Sequence, residues 1–277
     1  MNILAMTGLL AAGSLVAGFL GALTGLGGGV VIVPLLTLAL GVDIHYAVGA
    51  SLVSVIATSS GAAAAYVREG FTNLRVGMLL EIATTLGALA GAALAAVLAP
   101  SLIAVVFGLV LLHSAWVSRR PVEPHPDATP DALATRLRLN GAYPTPTGIQ
   151  QYHVRGVPAG AALMAVAGVL SGLLGIGSGA VKVLAMDRVM RLPFKVSTTT
   201  SNFMIGVTAA AGAGVYLWRG YIDPGLAMPV MLGVLVGSLL GARVLTAAPP
   251  RHLRLVFAIV IALLGAEMIL NGLLGRL

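Results

Sequence analysis

One glycine-rich break occurs twice in this chain, 150 positions apart, each time inside an apolar run. The first copy is AGFLGALTGLGGGVVIVP, Ala17 to Pro34, and the second is AGVLSGLLGIGSGAVKVL, Ala167 to Leu184. Gly18, Gly25, Gly27 and Gly29 return as Gly168, Gly175, Gly177 and Gly179. Helices interrupted at corresponding places of two halves are the sequence pattern of a solute site at a repeat interface. A chain of this kind must bury broken backbone twice, in matching surroundings.

The surroundings are lipid. Charged residues make up 9% of the chain and apolar ones 58%, whereas a soluble domain carries about 25% charged residues. Met1 to Val42 and Ile82 to Ser118 contain no Asp, Glu, Lys or Arg, and each run exceeds the roughly 20 residues a span needs. The first 30 residues lack a basic start and a cleavage site, so they read as structure and not as a signal peptide. Without Cys there are no disulfides, thiolate metal sites or Cys nucleophiles. The net charge of +7 reads as loop Lys and Arg that orient a membrane chain, not as a nucleic-acid footprint.

Apolar segments fall at about 3–24, 28–41, 46–67, 76–98 and 101–117, then at 157–176, 179–190, 196–218, 222–246 and 252–273. The expected fold is an all-α integral membrane protein. It has two inverted repeats of about five helical segments, 1–117 and 157–277, with 118–156 as a cytoplasmic linker. The second segment of each set is too short to cross comfortably, so each glycine motif joins a helix to a half-helix or forms a re-entrant hairpin near the midplane. Pro100 and Pro224 suit helix starts, and Asp43, Asn73 and Asp223 suit caps. Gly70 and Gly220 hold matching turns. Gly87 and Gly91 recur as Gly237 and Gly241, a G-x-x-x-G spacing that lets helices approach closely; exposed, such faces suit a homodimer.

With five segments per half, thirteen of the sixteen Lys and Arg residues gather on one side, in loops 68–75, 118–156, 188–195 and 243–254. The positive-inside rule makes that side cytoplasmic and puts both termini outside a cell membrane crossed many times. Within 118–156, Pro121 to Pro130 carries four prolines among charged residues and reads as linker. Thr129-Pro130-Asp131 suits a helix start with Thr129 as cap. Leu137 to Val154 reads as a β-hairpin or lid, or as a connector that only tethers the halves.

Backbone freed at a glycine break must face protein or water, and helix N-termini there suit an anion. The candidate binding positions are therefore Gly25, Gly27, Gly28 and Gly29, with Gly175, Gly177, Ser178 and Gly179; the alternative is that these residues only permit tight crossing. Lys182 lies inside an apolar segment, where a lysine costs roughly 2.5–3.5 kcal/mol and needs a partner. It reads as a counter-charge for an anion, or as the partner of Asp187, or as snorkelling to the interface. Ser51 and the run Ser197, Thr198, Thr199, Thr200, Ser201, Asn202 can replace an anion's water shell, or bond back to their own helices. Glu81 and Glu267 are candidate proton carriers near segment ends, where interfacial placement is the alternative. His45, His113 and His153 show no metal spacing, and no catalytic or nucleotide-binding motif is present. No catalytic residue, metal or cofactor is expected.

At TGLGGGVVIVP, SGLLGIGSGAVKV, KVSTTTSNFMIGVTAAAG and LNGAYPTPTG the chain resembles the sulfite exporter (TauE/SafE) family, and the likeness covers most of its length. The resemblance implies a transporter of small sulfur-containing anions, sulfite or sulfonates such as sulfoacetate. A passive anion channel or a non-transporting membrane subunit are the competing classes. Ser178 stands where the family's glycine run continues, and Leu184 where the first half has Pro34. These departures point to a different substrate or to a stiffer second half.

Overall fold

The computed structural model describes residues 3–24, 28–68, 70–118, 131–145, 148–245 and 250–275. The first half comprises α1 (Ile3–Thr24), α2 (Gly29–Pro34), α3 (Ile44–Arg68), α4 (Leu74–Ala95) and α5 (Pro100–Ser118). A short helix α6 (Ala132–Arg136) and a hairpin, β1 (Gly141–Thr145) with β2 (Gly148–Tyr152), follow. The second half comprises α7 (Val157–Leu174), α8 (Gly179–Leu184), α9 (Phe194–Trp218), α10 (Pro224–Leu245) and α11 (Pro250–Leu273). Asn73 caps α4 as expected, its side chain accepting from the Val76 amide.

Both short segments end in a π-helical turn, Leu35–Ala39 after α2 and Ala185–Val189 after α8. The turns close alike: the Val42 amide donates to the Leu36 carbonyl and the Leu192 amide to Met186, each at 3.0 Å. Pro34 is therefore not what makes the turn, since Leu184 precedes the same one. The exchange of Pro34 for Leu184 leaves the local backbone path intact.

Among the described residues, Leu74–Ala95, Val157–Leu174 and Pro224–Gly241 are long and apolar enough to cross a bilayer. The patterning of α4 is that of a helix facing lipid. Met78, Ile82 and Leu86 are 66%, 64% and 64% exposed, while Gly77, Glu81, Thr84 and Ala88 are buried. Apart from Val76 and Leu80, which bury against the linker, the large apolar side chains point out and small or polar ones point in, the reverse of a soluble helix. In lipid the outward face gains nothing by hiding, so close backbone packing holds helices together.

That packing occurs at glycine. Helix α1 lies along α10, α4 along α7, α5 against α11 and α3 against α9. Exchanging the halves turns this set of pairs into itself. A Cβ at Gly87 would meet the Ala165 carbonyl and one at Gly237 the Leu15 carbonyl; one at Gly18 would meet Val234 and one at Gly168 would meet Thr84. Every member of these pairs is related to its counterpart by the same 150-residue offset. The G-x-x-x-G faces are thus buried inside one chain. This removes the exposed face on which a homodimer was expected.

The described part of the linker, from residue 131 on, is docked on the helices. Leu139, Tyr152 and Val154 bury with Val76, Leu80, Met190 and Met204. Asn73 Nδ2 donates to the Leu139 carbonyl (2.9 Å) and to Tyr152 Oη (2.8 Å), and Arg75 Nη1 donates to the Arg138 carbonyl (3.2 Å). Burial pushes the Tyr152 phenol above its ordinary pKa, partly offset by the Asn73 bond. The cap of α6 is Asp131, whose carboxylate accepts from the Leu133 amide. The expected cap Thr129 lies outside the described residues.

Gly172→Val places a branched side chain against the Ala88 carbonyl and the Ala92 amide, so it should cost about 1–3 kcal/mol through overpacking. Thermal unfolding in detergent should show a lower Tm. Gly214→Ala, where a Cβ meets nothing within 4 Å, should not lower it. Equal Tm values for the two variants would contradict packing through glycine.

Candidate functional site

The two glycine breaks touch. A Cβ on Gly29 would sit 2.6 Å from the Gly175 carbonyl, and that carbonyl accepts a hydrogen bond from Ser51 Oγ at 2.6 Å. The second break turns sharply because Gly175, Gly177 and Ser178 all have positive φ, at 69°, 67° and 48°. Glycine adopts this conformation freely, whereas serine does so at a cost. Ser178 precedes α8, and its buried hydroxyl has no partner among the described residues. Gly28 precedes α2 in ordinary right-handed geometry, so the two breaks are not copies in detail. Gly25 and Gly27 lie outside the described residues.

Helix α8 carries Lys182 into the centre of the protein, where it is fully buried. Its Nζ donates to Thr208 Oγ1 at 2.6 Å. Thr208 donates in turn to Glu81 Oε1, also at 2.6 Å. One hydroxyl therefore bridges a buried lysine of the second half to a buried carboxyl of the first. Glu81 Oε1 also accepts from Thr85 (3.2 Å), while Glu81 Oε2 is buried with no partner among the described residues. Removing one member of such a set strands the others, which is more damaging than removing the set.

Several expectations change here. Lys182 neither snorkels nor pairs with Asp187, which lies against Arg188 Nε at 3.6 Å. Glu81 is buried among the helices, at 8% exposure. The hydroxyl run is spread around α9. Thr198 bonds back to Phe194, Thr199 donates to the Phe71 carbonyl, and Thr200 accepts from the Asn73 amide. Only Ser201 turns towards the break, donating to the Gly179 carbonyl at 3.3 Å. The Asn202 carbonyl accepts from Ser59 Oγ at 2.6 Å. Ser51, Thr199, Thr200 and Ser201 thus tie the breaks and loops to neighbouring helices.

Thr208 was not among the expected site residues. A signal for it existed: Ser197, Ser201 and Thr208 recur at i, i+4 and i+11, one face of a helix, and all three are fully buried. Near the hairpin, Lys195 Nζ lies 3.7 Å over the Phe71 ring, and Arg75 Nη1 donates to the Arg138 carbonyl. At the opposite end of α9, His45, Tyr216, Arg219 and Tyr221 line a shallow surface depression.

Two substitutions probe this geometry. Thr208→Val keeps the shape and removes the bridging hydroxyl, so it should cost about 1–3 kcal/mol, read as a fall in Tm that Thr208→Ser largely restores. An unchanged Tm in the valine variant would show that the bridge carries no stability. Ser178→Gly should relieve about 1–2 kcal/mol of left-handed strain and exceed Ser178→Ala in Tm; the reverse order would rule out strain at this position.

Comparison with known proteins agrees with this architecture. The sequence profile of the sulfite exporter TauE/SafE family matches residues 10–268. The probable membrane transporter protein YunE of Bacillus subtilis is 27% identical over 267 residues, covering 93% of this chain and 95% of its own. The probable membrane transporter protein YdhB of the same organism is 27% identical, covering 83% and 84%. A probable membrane transporter protein of Xylella fastidiosa is 26% identical, with 94% of each chain covered. No solved structure matches. With a profile match across nearly its whole length, the chain belongs to the sulfite exporter TauE/SafE family.

Proposed function

We propose that this protein is a secondary transporter of small sulfur-containing anions, sulfite or sulfonates such as sulfoacetate, and that it works by alternating access around the paired glycine breaks. Lys182 supplies the counter-charge. Ser178, with its unpartnered hydroxyl, supplies a donor beside it in sequence, and the freed backbone at Gly175 to Gly179 lines the approach. Gly28 and Gly29 contribute the facing backbone from the first half, and Gly25 and Gly27 are the further candidates in the same run.

The observation that carries this reading is a fully buried lysine on a broken helix, in a family whose relatives are probable membrane transporters. A buried cation in a membrane protein marks a solute or ion path. Complete burial favours a carrier over an open channel, since an anion reaches Lys182 only after helices part. The exchange-symmetric helix pairing supports two repeats, 1–117 and 157–277, and an odd number of crossings in each supports the inverted arrangement. The uneven share of Lys and Arg among the loops supports a cytoplasmic linker and external termini.

The test is thermal stabilisation of purified protein by sulfite, sulfate, thiosulfate, sulfoacetate, taurine and acetate. A ligand that binds the folded state raises its stability by mass action, so a sulfur oxyanion or sulfonate should raise Tm selectively. The paired variant Lys182→Met with Glu81→Gln removes both charges and strands neither; it should fold and lose the shift. Equal shifts in wild type and paired variant would exclude Lys182, and no shift with any sulfur anion would exclude the substrate class.

A further inference from the structure

The bridge between Lys182 and Glu81 has a consequence for how anions are moved. We infer that the anion and a proton enter together: the anion takes Glu81's place as the counter-charge of Lys182, and Glu81 is neutralised by one proton. This rests on the proposed role of Lys182 as the anion's partner.

The argument is charge conservation in a dry place. Without anion, Lys182 and Glu81 balance through Thr208. Adding a monoanion beside Lys182 leaves the site one negative charge in excess. An uncompensated charge at membrane depth is expensive, and the attraction between near charges is strong where the dielectric is low. One proton from bulk water on Glu81 restores neutrality, giving Lys182 as ammonium, the bound monoanion and Glu81 as carboxylic acid. Empty and loaded forms then differ by one anion and one proton, and both are neutral.

The structure holds the parts this exchange needs. Glu81 Oε2 is buried with no partner among the described residues, an open acceptor for the proton. Thr208 has a second acceptor in place, the Met204 carbonyl at 3.0 Å. With the proton on Oε2, Oε1 stays an acceptor for Thr208, and the hydroxyl hydrogen can also swing to Met204 as the pull of Glu81 weakens. Among the described residues, no other group around Glu81 competes for the role. Helix α7, packed along α4, contains no Asp, Glu, Lys, Arg or His. Helix α9 contributes Lys195 at its start, over the Phe71 ring, and Tyr216 near its far end. The α8 segment contributes Lys182, then Asp187 beside Arg188. On α4 itself, Arg75 reaches the Arg138 carbonyl of the linker, and Tyr152 of the hairpin bonds Asn73.

The experiment uses purified wild-type protein with methanesulfonate and sulfoacetate, the former ionised at all working pH values. Methanesulfonate binding should take up one proton per anion, measured with a pH dye in weak buffer. Its apparent affinity should rise about tenfold for each unit fall in pH. Glu81→Gln should bind with no proton uptake and no pH dependence. In proteoliposomes a pH gradient should drive methanesulfonate flux and membrane potential should not. Methanesulfonate binding without proton uptake in wild type would overturn the coupling while leaving the anion site standing. Failure of both probes to bind at any pH would overturn the site and the coupling together.

Discussion

Backbone contact through glycine is the constraint on which this structure depends. In lipid, hiding a leucine gains little, because the solvent is already apolar. What remains is close approach, and the chain achieves it at Gly18, Gly87, Gly168 and Gly237, each facing a carbonyl of the neighbouring helix. These contacts join α1 to α10 and α4 to α7, so each half supplies one helix to the other's principal pair. Neither half is complete alone, and the breaks are brought together as a result.

Within that frame the polar interior is small and specific. Most buried hydroxyls serve the backbone: Ser51 holds Gly175, Ser201 holds Gly179, and Thr199 and Thr200 hold the loop around Phe71 and Asn73. Thr208 differs, because it stands between two ionisable groups from opposite halves. Parting α4 from α8 and α9 would break one or both of those hydrogen bonds.

Much of the fold was legible in the residue pattern, because its causes are local. Charge-free runs gave the segments, Asn73, Pro100 and Pro224 gave helix starts, and the repeated glycines gave the breaks. The site was legible only in part, because its geometry is non-local. Lys182 stands out in an apolar segment, yet nothing in its neighbourhood reveals that its bridge runs to Glu81, 101 positions earlier. The hydroxyl run at 197–202 drew attention by density, but consecutive residues on a helix face different ways. The residue that mattered lay two turns further on the same face. The G-x-x-x-G faces were recognisable as packing surfaces, although spacing alone does not say which helix covers them.

The most direct measurement exploits the absence of cysteine from the chain. Ser201→Cys changes one buried oxygen to sulfur beside the break at Gly179, and it gives the protein a single thiol. Its labelling by a membrane-impermeant thiol reagent, added to either side of sealed vesicles, reports when water reaches the site. Alternating access through this site predicts slow labelling from both sides and protection by a sulfur anion that stabilises the protein. A labelling rate that no anion alters, or one confined to a single side under every condition, would contradict it.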